Sequence, residues 1–251
     1  NKLSAGQIEA FKANGPSASR PDAHPADSIA RLFYDRAGRT IGALDGEGYL
    51  TRTIYDGAGQ KVQEIAYANA TAAAQRAGGS LQALIDSAGT SASDRSVRHV
   101  YDQQGLLRFS IDALNQVTGY VYVFQGWPWS AFGPVRQTIE YAGTLPALSR
   151  YTHASVKNAV AALAGDPANR ATSAIYDYAG RLAYTIGATG AVVGHVYDNM
   201  GRLVRKIEYA TANATTTLYS KAEWDDWAAH YATSSDRVTR YYHNARGELR
   251  F

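Results

Sequence analysis

Every second residue is apolar in Leu107-x-Phe109-x-Ile111 and again in Leu182-x-Tyr184-x-Ile186, the period of a strand with one face turned to a core. From Val117 to Tyr122 small apolar groups alternate with aromatics, so that strand carries apolar bulk on both faces. Turn signals separate such stretches. The first kind is Asp-x-x-Gly, at Asp35/Gly38, Asp56/Gly59, Asp102/Gly105, Asp177/Gly180 and Asp198/Gly201; the second comes ten residues later, at Asp45/Gly48, Asp112/Asn115 and Gly187/Gly190. Asp at the first turn position accepts a hydrogen bond from the backbone two residues on, and Gly or Asn at the fourth tolerates positive φ. Turns of this kind close hairpins through a Gly bulge. The spacing of 10 or 11 residues leaves about six for each strand, so the pattern predicts an antiparallel meander.

The first turns belong to a repeat, Tyr-Asp-x-x-Gly, whose copies come in pairs 21 residues apart: Tyr34 and Tyr55, Tyr101 and Tyr122, Tyr176 and Tyr197. Pairs start at Tyr34, Tyr101, Tyr176 and a degenerate copy at His243, in steps of 67, 75 and 67 residues. The longer step holds about seven extra residues around Gln125-Gly126-Trp127-Pro128-Trp129, in the turn after Tyr122. Asp94, Asn169 and Asp236 each stand seven residues before a pair, and Asp27 does the same before Tyr34. Residues 1–33 therefore read as the end of a preceding unit, 34–100, 101–175 and 176–242 as three super-repeats, and 243–251 as the start of another. Such periodicity points to stacked units, each burying its faces against its neighbours. The repeated Tyr is expected to pack its ring on the next hairpin with its hydroxyl near a polar edge, and the repeated Asp and Gly to serve their own turn.

Between pairs the pattern changes to alanine-rich segments. Ser80 to Ala88, Ala154 to Ala164 and Ser220 to Ala232 read as short helices, the last opened by a capping box of Ser220 with Glu223; Ser4 with Gln7 repeats that signature. Helices this short need an apolar stripe docked on the sheet, and Trp224 with Trp227 supplies one.

Composition narrows the function classes. Of 251 residues 45% are hydrophobic, enough for a sizeable core, and 25 basic residues stand against 22 acidic ones without a basic cluster, so no nucleic-acid footprint is legible. There is no cysteine, which excludes disulfides and thiolate metal sites, and no apolar run long enough for a membrane helix. The histidines, His24, His99, His153, His195, His230 and His243, lack zinc-ligand spacing, and no nucleophile elbow accompanies the Ser, His and Asp residues. Gly46-Glu47-Gly48 and Gly57-Ala58-Gly59 are turn glycines with no strand-to-helix context for a phosphate. No catalytic, cofactor or metal site is expected. Trp127 and Trp129 are the feature out of phase with the repeat, an aromatic pair in a loop that could stack a sugar ring or a partner surface.

Written out, Tyr176-Asp177-Tyr178-Ala179-Gly180-Arg181-Leu182, Tyr197-Asp198-Asn199-Met200-Gly201-Arg202-Leu203 and Tyr34-Asp35-Arg36-Ala37-Gly38-Arg39 resemble the repeats of the bacterial Rhs or YD-repeat proteins. The resemblance implies a mainly β fold in which hairpins form a spiralling sheet or shell, in large secreted or surface-delivered proteins. It also implies partners: neighbouring repeats of the same chain, an enclosed C-terminal toxin in the polymorphic toxins and insecticidal toxin complexes, or a cell-surface glycan or protein if the array serves adhesion as in the teneurins. The repeat strip of those relatives is not catalytic. Asp166-Pro167-Ala168-Asn169 lacks the Gly of the family's self-cleavage motif, so autoproteolysis is not carried over. The regular helical inserts depart from the family's core and leave an adhesin-like array as the alternative.

Overall fold

The computed structural model describes residues 5–14, 28–124, 132–213 and 220–250. Trp127, Trp129, Asp27 and Ser4, all singled out above, lie outside them. The chain divides into two compact units, one of Asn1–Arg52 with Ala66–Asp94, the other of Thr53–Ile65 with Arg95–Phe251.

Among the described residues thirteen strands form an antiparallel sheet whose hydrogen-bonded order is the chain order. The first unit holds β1 (Arg31–Tyr34), β2 (Thr40–Leu44) and the start of β3 (Leu50–Tyr55), with α1 (Ala5–Asn14), α2 (Ala73–Arg76) and α3 (Leu81–Ala88). The second holds the end of β3, nearly all of β4 (Lys61–Ala66), and β5 (Arg95–Tyr101), β6 (Leu107–Ile111), β7 (Gln116–Phe124) and β8 (Phe132–Thr144). After α4 (His153–Ala161) it continues through β9 (Arg170–Tyr176), β10 (Leu182–Ile186), β11 (Val192–Tyr197), β12 (Leu203–Glu208), α5 (Lys221–Tyr231) and β13 (Arg237–Arg240).

The meander is set by its turns. At all eight sites the fourth residue's N–H donates to the first residue's carbonyl at 2.9–3.1 Å, and the first residue's N–H donates to the carbonyl of the fifth. The fourth residue has φ between 60° (Asn115) and 95° (Gly48), the left-handed region where glycine carries no Cβ penalty. A ninth turn, Asn244 to Gly247 with φ 80°, closes in the degenerate copy at His243. Nothing lies within 4 Å of a Cβ built on Gly180, and only the tip of Arg181, at 3.4 Å, approaches one on Gly201. The cost of a side chain there is thus almost purely conformational, and we expect Gly180→Val and Gly201→Val each to destabilise by about 1–3 kcal/mol in thermal melts. Shifts no larger than those of Gly57→Val, whose Cβ also meets nothing, at a position without positive φ, would contradict this.

The two kinds of turn differ in the pairing of the strands they join. At each Tyr-Asp hairpin with a resolved register, pairing slips by one residue: Tyr101 faces Leu107 but Val100 faces Phe109, passing over Arg108. The same slip passes over Ile41, Arg136, Ala183 and Val204. Hairpins of the second kind keep strict register, as in Ile111 with Val117 and Ser110 with Thr118. A bulge bends and twists its strand. It also breaks the simple alternation read from the sequence: Ala183 and Tyr184 are adjacent yet both buried.

Each helical excursion leaves the sheet and is stapled back at the same two places. The side-chain oxygens of Asp94, Asn169 and Asp236 accept the N–H groups of Ala68, Ala142 and Ala210 at 2.8–2.9 Å, closing the stem. The carbonyls of Gly48, Asn115 and Gly190, the last residues of the second-kind turns, accept the N–H groups of Thr71, Leu145 and Asn213. The helices then lie over the sheet with an i, i+4 pair buried in each: Leu84 and Ala88, Val156 and Val160, Trp224 and Ala228. Two cores result in the second unit. One gathers Val100, Phe109, Ile111, Val117 and Leu145 under α4, the other Ile175, Tyr184, Ile186 and Val192 under α5.

Helix starts obey their caps. Ser80 accepts from the Ala83 N–H, and Ser220 with Glu223 forms the expected capping box. The second helix differs from the expected Ala154–Ala164, because Thr152 and Ser155 form a capping box that starts it at His153, and it ends at Ala161. Ser155 plays the part usually given to Glu or Gln, which hides the box in the sequence. The first excursion also holds a short extra helix, α2, which the alanine-rich pattern does not predict.

Candidate functional site

The repeated side chains meet along the hairpin tips. The Tyr101 hydroxyl donates to the Lys61 carbonyl at 3.2 Å, Tyr122 to Leu107 at 3.0 Å and Tyr197 to Leu182 at 2.9 Å. In each case the acceptor stands six residues past the Tyr of the preceding hairpin, namely Tyr55, Tyr101 and Tyr176. The hydroxyl therefore ties one hairpin to its neighbour. Burial, the largest influence on all three, pushes these hydroxyls above the usual tyrosine range. Tyr34 departs from this pattern and is 56% exposed, because β1 begins the described sheet and no earlier hairpin among the described residues lies beside it.

The five first-kind turn aspartates each accept two backbone N–H groups, and four of them, all but Asp56, also hold an arginine. Oδ1 of Asp35, Asp56, Asp102, Asp177 and Asp198 accepts the N–H groups two and four residues on, at 2.8–3.0 Å. Oδ2 takes an arginine: Arg39 on Asp35, Arg181 on Asp177 and Arg202 on Asp198, each at 2.7 Å, and Arg108 on Asp102 at 2.5 Å. The guanidinium of Arg108 also lies 5.4 Å over the Tyr122 ring, and that of Arg181 4.7 Å over Tyr197, so one arginine joins a turn carboxylate to the next hairpin's aromatic. The arginine after the turn glycine is visible in the repeat, but its role is not. Arg108 escapes the pattern altogether, since Leu106 holds the usual place and the arginine reaches Asp102 from the bulge position.

Gly105 closes its own turn and also makes a second link. Like Gly38 (φ 78°) and Gly59 (φ 83°) it adopts positive φ, 78°, and is exposed at its tip. Its carbonyl, however, accepts the side-chain amide of Gln60 at 2.8 Å, and a Cβ on Gly105 would meet that Nε2 at 3.3 Å, whereas one on Gly38 would meet nothing within 4 Å. Gln60 is the fifth residue of the Asp56 turn, so Gly105 also links its hairpin tip to the tip before it. The physical reason is that the turn leaves the Gly105 carbonyl without a described backbone donor, within reach of a long amide side chain on the neighbouring hairpin.

The aspartate bonds predict a dependence of stability on acid. Backbone N–H donation is the main cause holding Asp35, Asp198 and Asp236 below the usual carboxylate range. For Asp102 and Asp177 burial works upward, but N–H donation and the paired arginine outweigh it, and the net direction is down. A carboxylate depressed in the folded state contributes stability that is complete above its unfolded value and lost as pH falls through the folded value. We therefore expect two steps: stability begins to decline below about pH 6.5, where the unfolded chain protonates histidines that burial keeps neutral at His99 and His195, and declines further below about pH 4 as these carboxylates take up protons. Equilibrium urea unfolding at stepped pH checks this; no additional loss below about pH 4 would remove the carboxylate contribution.

Burial, as the leading cause, lowers the pKa of both His99 and His195. His99 Nδ1 lies 3.2 Å from Ser110 Oγ, while His195 Nδ1 is buried without a hydrogen-bond partner among the described residues. No group of three His, Asp or Glu side chains among the described residues could hold a metal ion. No helix of the described residues is long and apolar enough to cross a membrane.

Two hollows lie where a helix meets the sheet in the second unit. One, of about 300 Å³, is lined by residues including Phe109, Gly119, Tyr141, His153 and Lys157. The other, of about 240 Å³, is lined by residues including Tyr184, Gly194, Tyr209, Lys221 and Asp225. In the second, the Tyr184 hydroxyl donates to Asp225 at 2.8 Å, and Lys221 pairs with the same carboxylate.

Comparison with solved structures places the fold. Over 98% of its length this chain is similar to the complex TcdB2-TccC3-Cdc42, at TM-score 0.51 and 14% identity. Over 91% it is similar to the Tc holotoxin pore of Photorhabdus luminescens, at 0.53 and 12%. Over 97% it is similar to TcdB2-TccC3 lacking the hypervariable C-terminal region, at 0.50 and 14%. The chain spans only 9–11% of the length of those chains. No family model and no curated protein matches the sequence. The likeness is one of fold: a hairpin strip of the kind found in Tc toxin components.

Proposed function

We propose that this chain is a non-catalytic wall segment of a large secreted or surface-delivered YD-repeat protein, one stretch of a β-shell that encloses or displays a toxin or effector. The observation that carries the reading is the hydroxyl ladder, in which the Tyr of one hairpin satisfies a carbonyl of the one before it. Polar groups consumed in this way bind the strip to itself, which supports a structural role. The likeness to Tc components supports the same reading, because the chain follows their fold over nearly its whole length. Its partners are then adjoining repeats and an enclosed C-terminal domain.

The test uses the longer protein that carries this segment, with a protease-cleavable reporter in place of the region after the repeats. An enclosing shell keeps the reporter intact under native conditions and surrenders it once the shell is unfolded. Equal cleavage in both states would discard enclosure and favour display by an adhesin.

A further inference from the structure

The hollow at Gly119 has its counterpart in a second hollow at Gly194, whose polar groups are satisfied from within, while the equivalent positions of the first super-repeat differ in kind. Phe109 and Tyr184 each stand three residues before a second-kind turn, Gly119 and Gly194 each seven residues after its start, and His153/Lys157 match Lys221/Asp225 counting from the caps Thr152 and Ser220. At Gly194 the polar groups close on one another, Tyr184 to Asp225 to Lys221. In the first unit Gly42 takes the aromatic's place and Arg52 the glycine's, and a Leu81 methyl lies 2.5 Å from where a Gly42 Cβ would be, so an apolar side chain abuts that position. At Gly119 neither device is present. Phe109 has no hydroxyl, Lys157 replaces the aspartate, and Lys157 has no ion pair among the described residues.

What remains is an aromatic-lined hollow with one cation at its rim, Lys157, that has no ion pair among the described residues. Gly119 lies on its floor with aromatic rings packed close over it, since a Cβ there would meet the Tyr141 ring at 3.1 Å and Phe109 at 3.6 Å. Phe109 forms a wall, stacked on His153 with ring centres 6.1 Å apart. The lining includes Arg108, His153 and Lys157 and no carboxylate, and Arg108 is already committed to Asp102. We propose that this hollow binds a small carboxylate with a flat apolar face, the face lying on Phe109 and Tyr141 and the carboxylate taken by Lys157. An arene carboxylate and a uronic-acid sugar share that chemistry, since aromatic side chains stack both and lysine pairs with either anion.

Saturation-transfer NMR on the 251-residue chain, with benzoate and glucuronate as probes and benzyl alcohol and glucose as their uncharged counterparts, tests this. We expect saturable millimolar binding of at least one carboxylate, with the better probe naming the source, and binding weaker by about tenfold for the uncharged counterpart and for Lys157→Glu. Because Lys157 is exposed, the variant should keep its circular dichroism and melting temperature; if it does not fold, Lys157→Gln gives the same reading. Gly119→Ala, which narrows the slot, should weaken binding too. No saturable binding of either carboxylate, equal binding of the uncharged probes, or unchanged binding by the lysine variant would each overturn the proposal.

Discussion

Trp224→Ala should cost the second unit about 3–5 kcal/mol, the range for emptying a buried tryptophan site. Trp224 is 2% exposed and the largest of the fully buried side chains. Its ring stands 5.8 Å from Tyr184 and 5.4 Å from Trp227, which in turn packs edge-on against Tyr209 at 5.4 Å. Trp224 and Ala228 are the residues α5 buries, and a helix of 11 residues has little stability of its own in water. Losing the indole should therefore both open a cavity and release the helix. Urea unfolding followed by circular dichroism gives the magnitude, and loss of α5 amide protection gives the mechanism. Trp227→Ala, at a partly buried site, should cost clearly less. A Trp224→Ala loss below about 1 kcal/mol would mean that α5 is not held by its stripe.

Asp102→Ala carries the next largest effect, a loss of about 3 kcal/mol. Its side chain is 4% exposed and accepts the N–H groups of Gln104 and Leu106 and the guanidinium of Arg108. Truncation leaves the part-buried Leu106 N–H without its acceptor and frees an arginine that also faces Tyr122. Asp102→Asn can keep the N–H acceptor while losing the charge, so it should recover part of the stability. If both variants lost the same amount, the carboxylate's charge rather than its acceptor geometry would be the main source of the effect.

The repeat is legible in the sequence because turn chemistry and period are local. Asp-x-x-Gly fixes a four-residue turn whatever surrounds it, and the strands between turns have no length to spare. The helices are legible to the extent that their caps are conventional: Ser220 with Glu223 stands out, Thr152 with Ser155 does not. The hidden features depend on neighbours far apart in sequence. The bulge at Arg108 emerges only when Val100 is seen facing Phe109, the link from Gln60 to Gly105 spans 45 residues, and the staple from Asp94 to Ala68 spans 26. The shared phase of Asp94, Asn169 and Asp236 shows in the sequence without its purpose, since closing a stem needs knowledge of where the stem is. The hollow at Gly119 requires comparing three equivalent places after folding, because the sequence offers Lys157 only as one more exposed lysine.

Electron microscopy of the longer YD-repeat protein proposed to contain this chain tests the central claim most directly. The account predicts a hollow particle whose wall is one sheet thick, with the Tyr-Asp hairpins running continuously along it. An open fibre, or a solid body in which the sheet folds face to face upon itself, would contradict it.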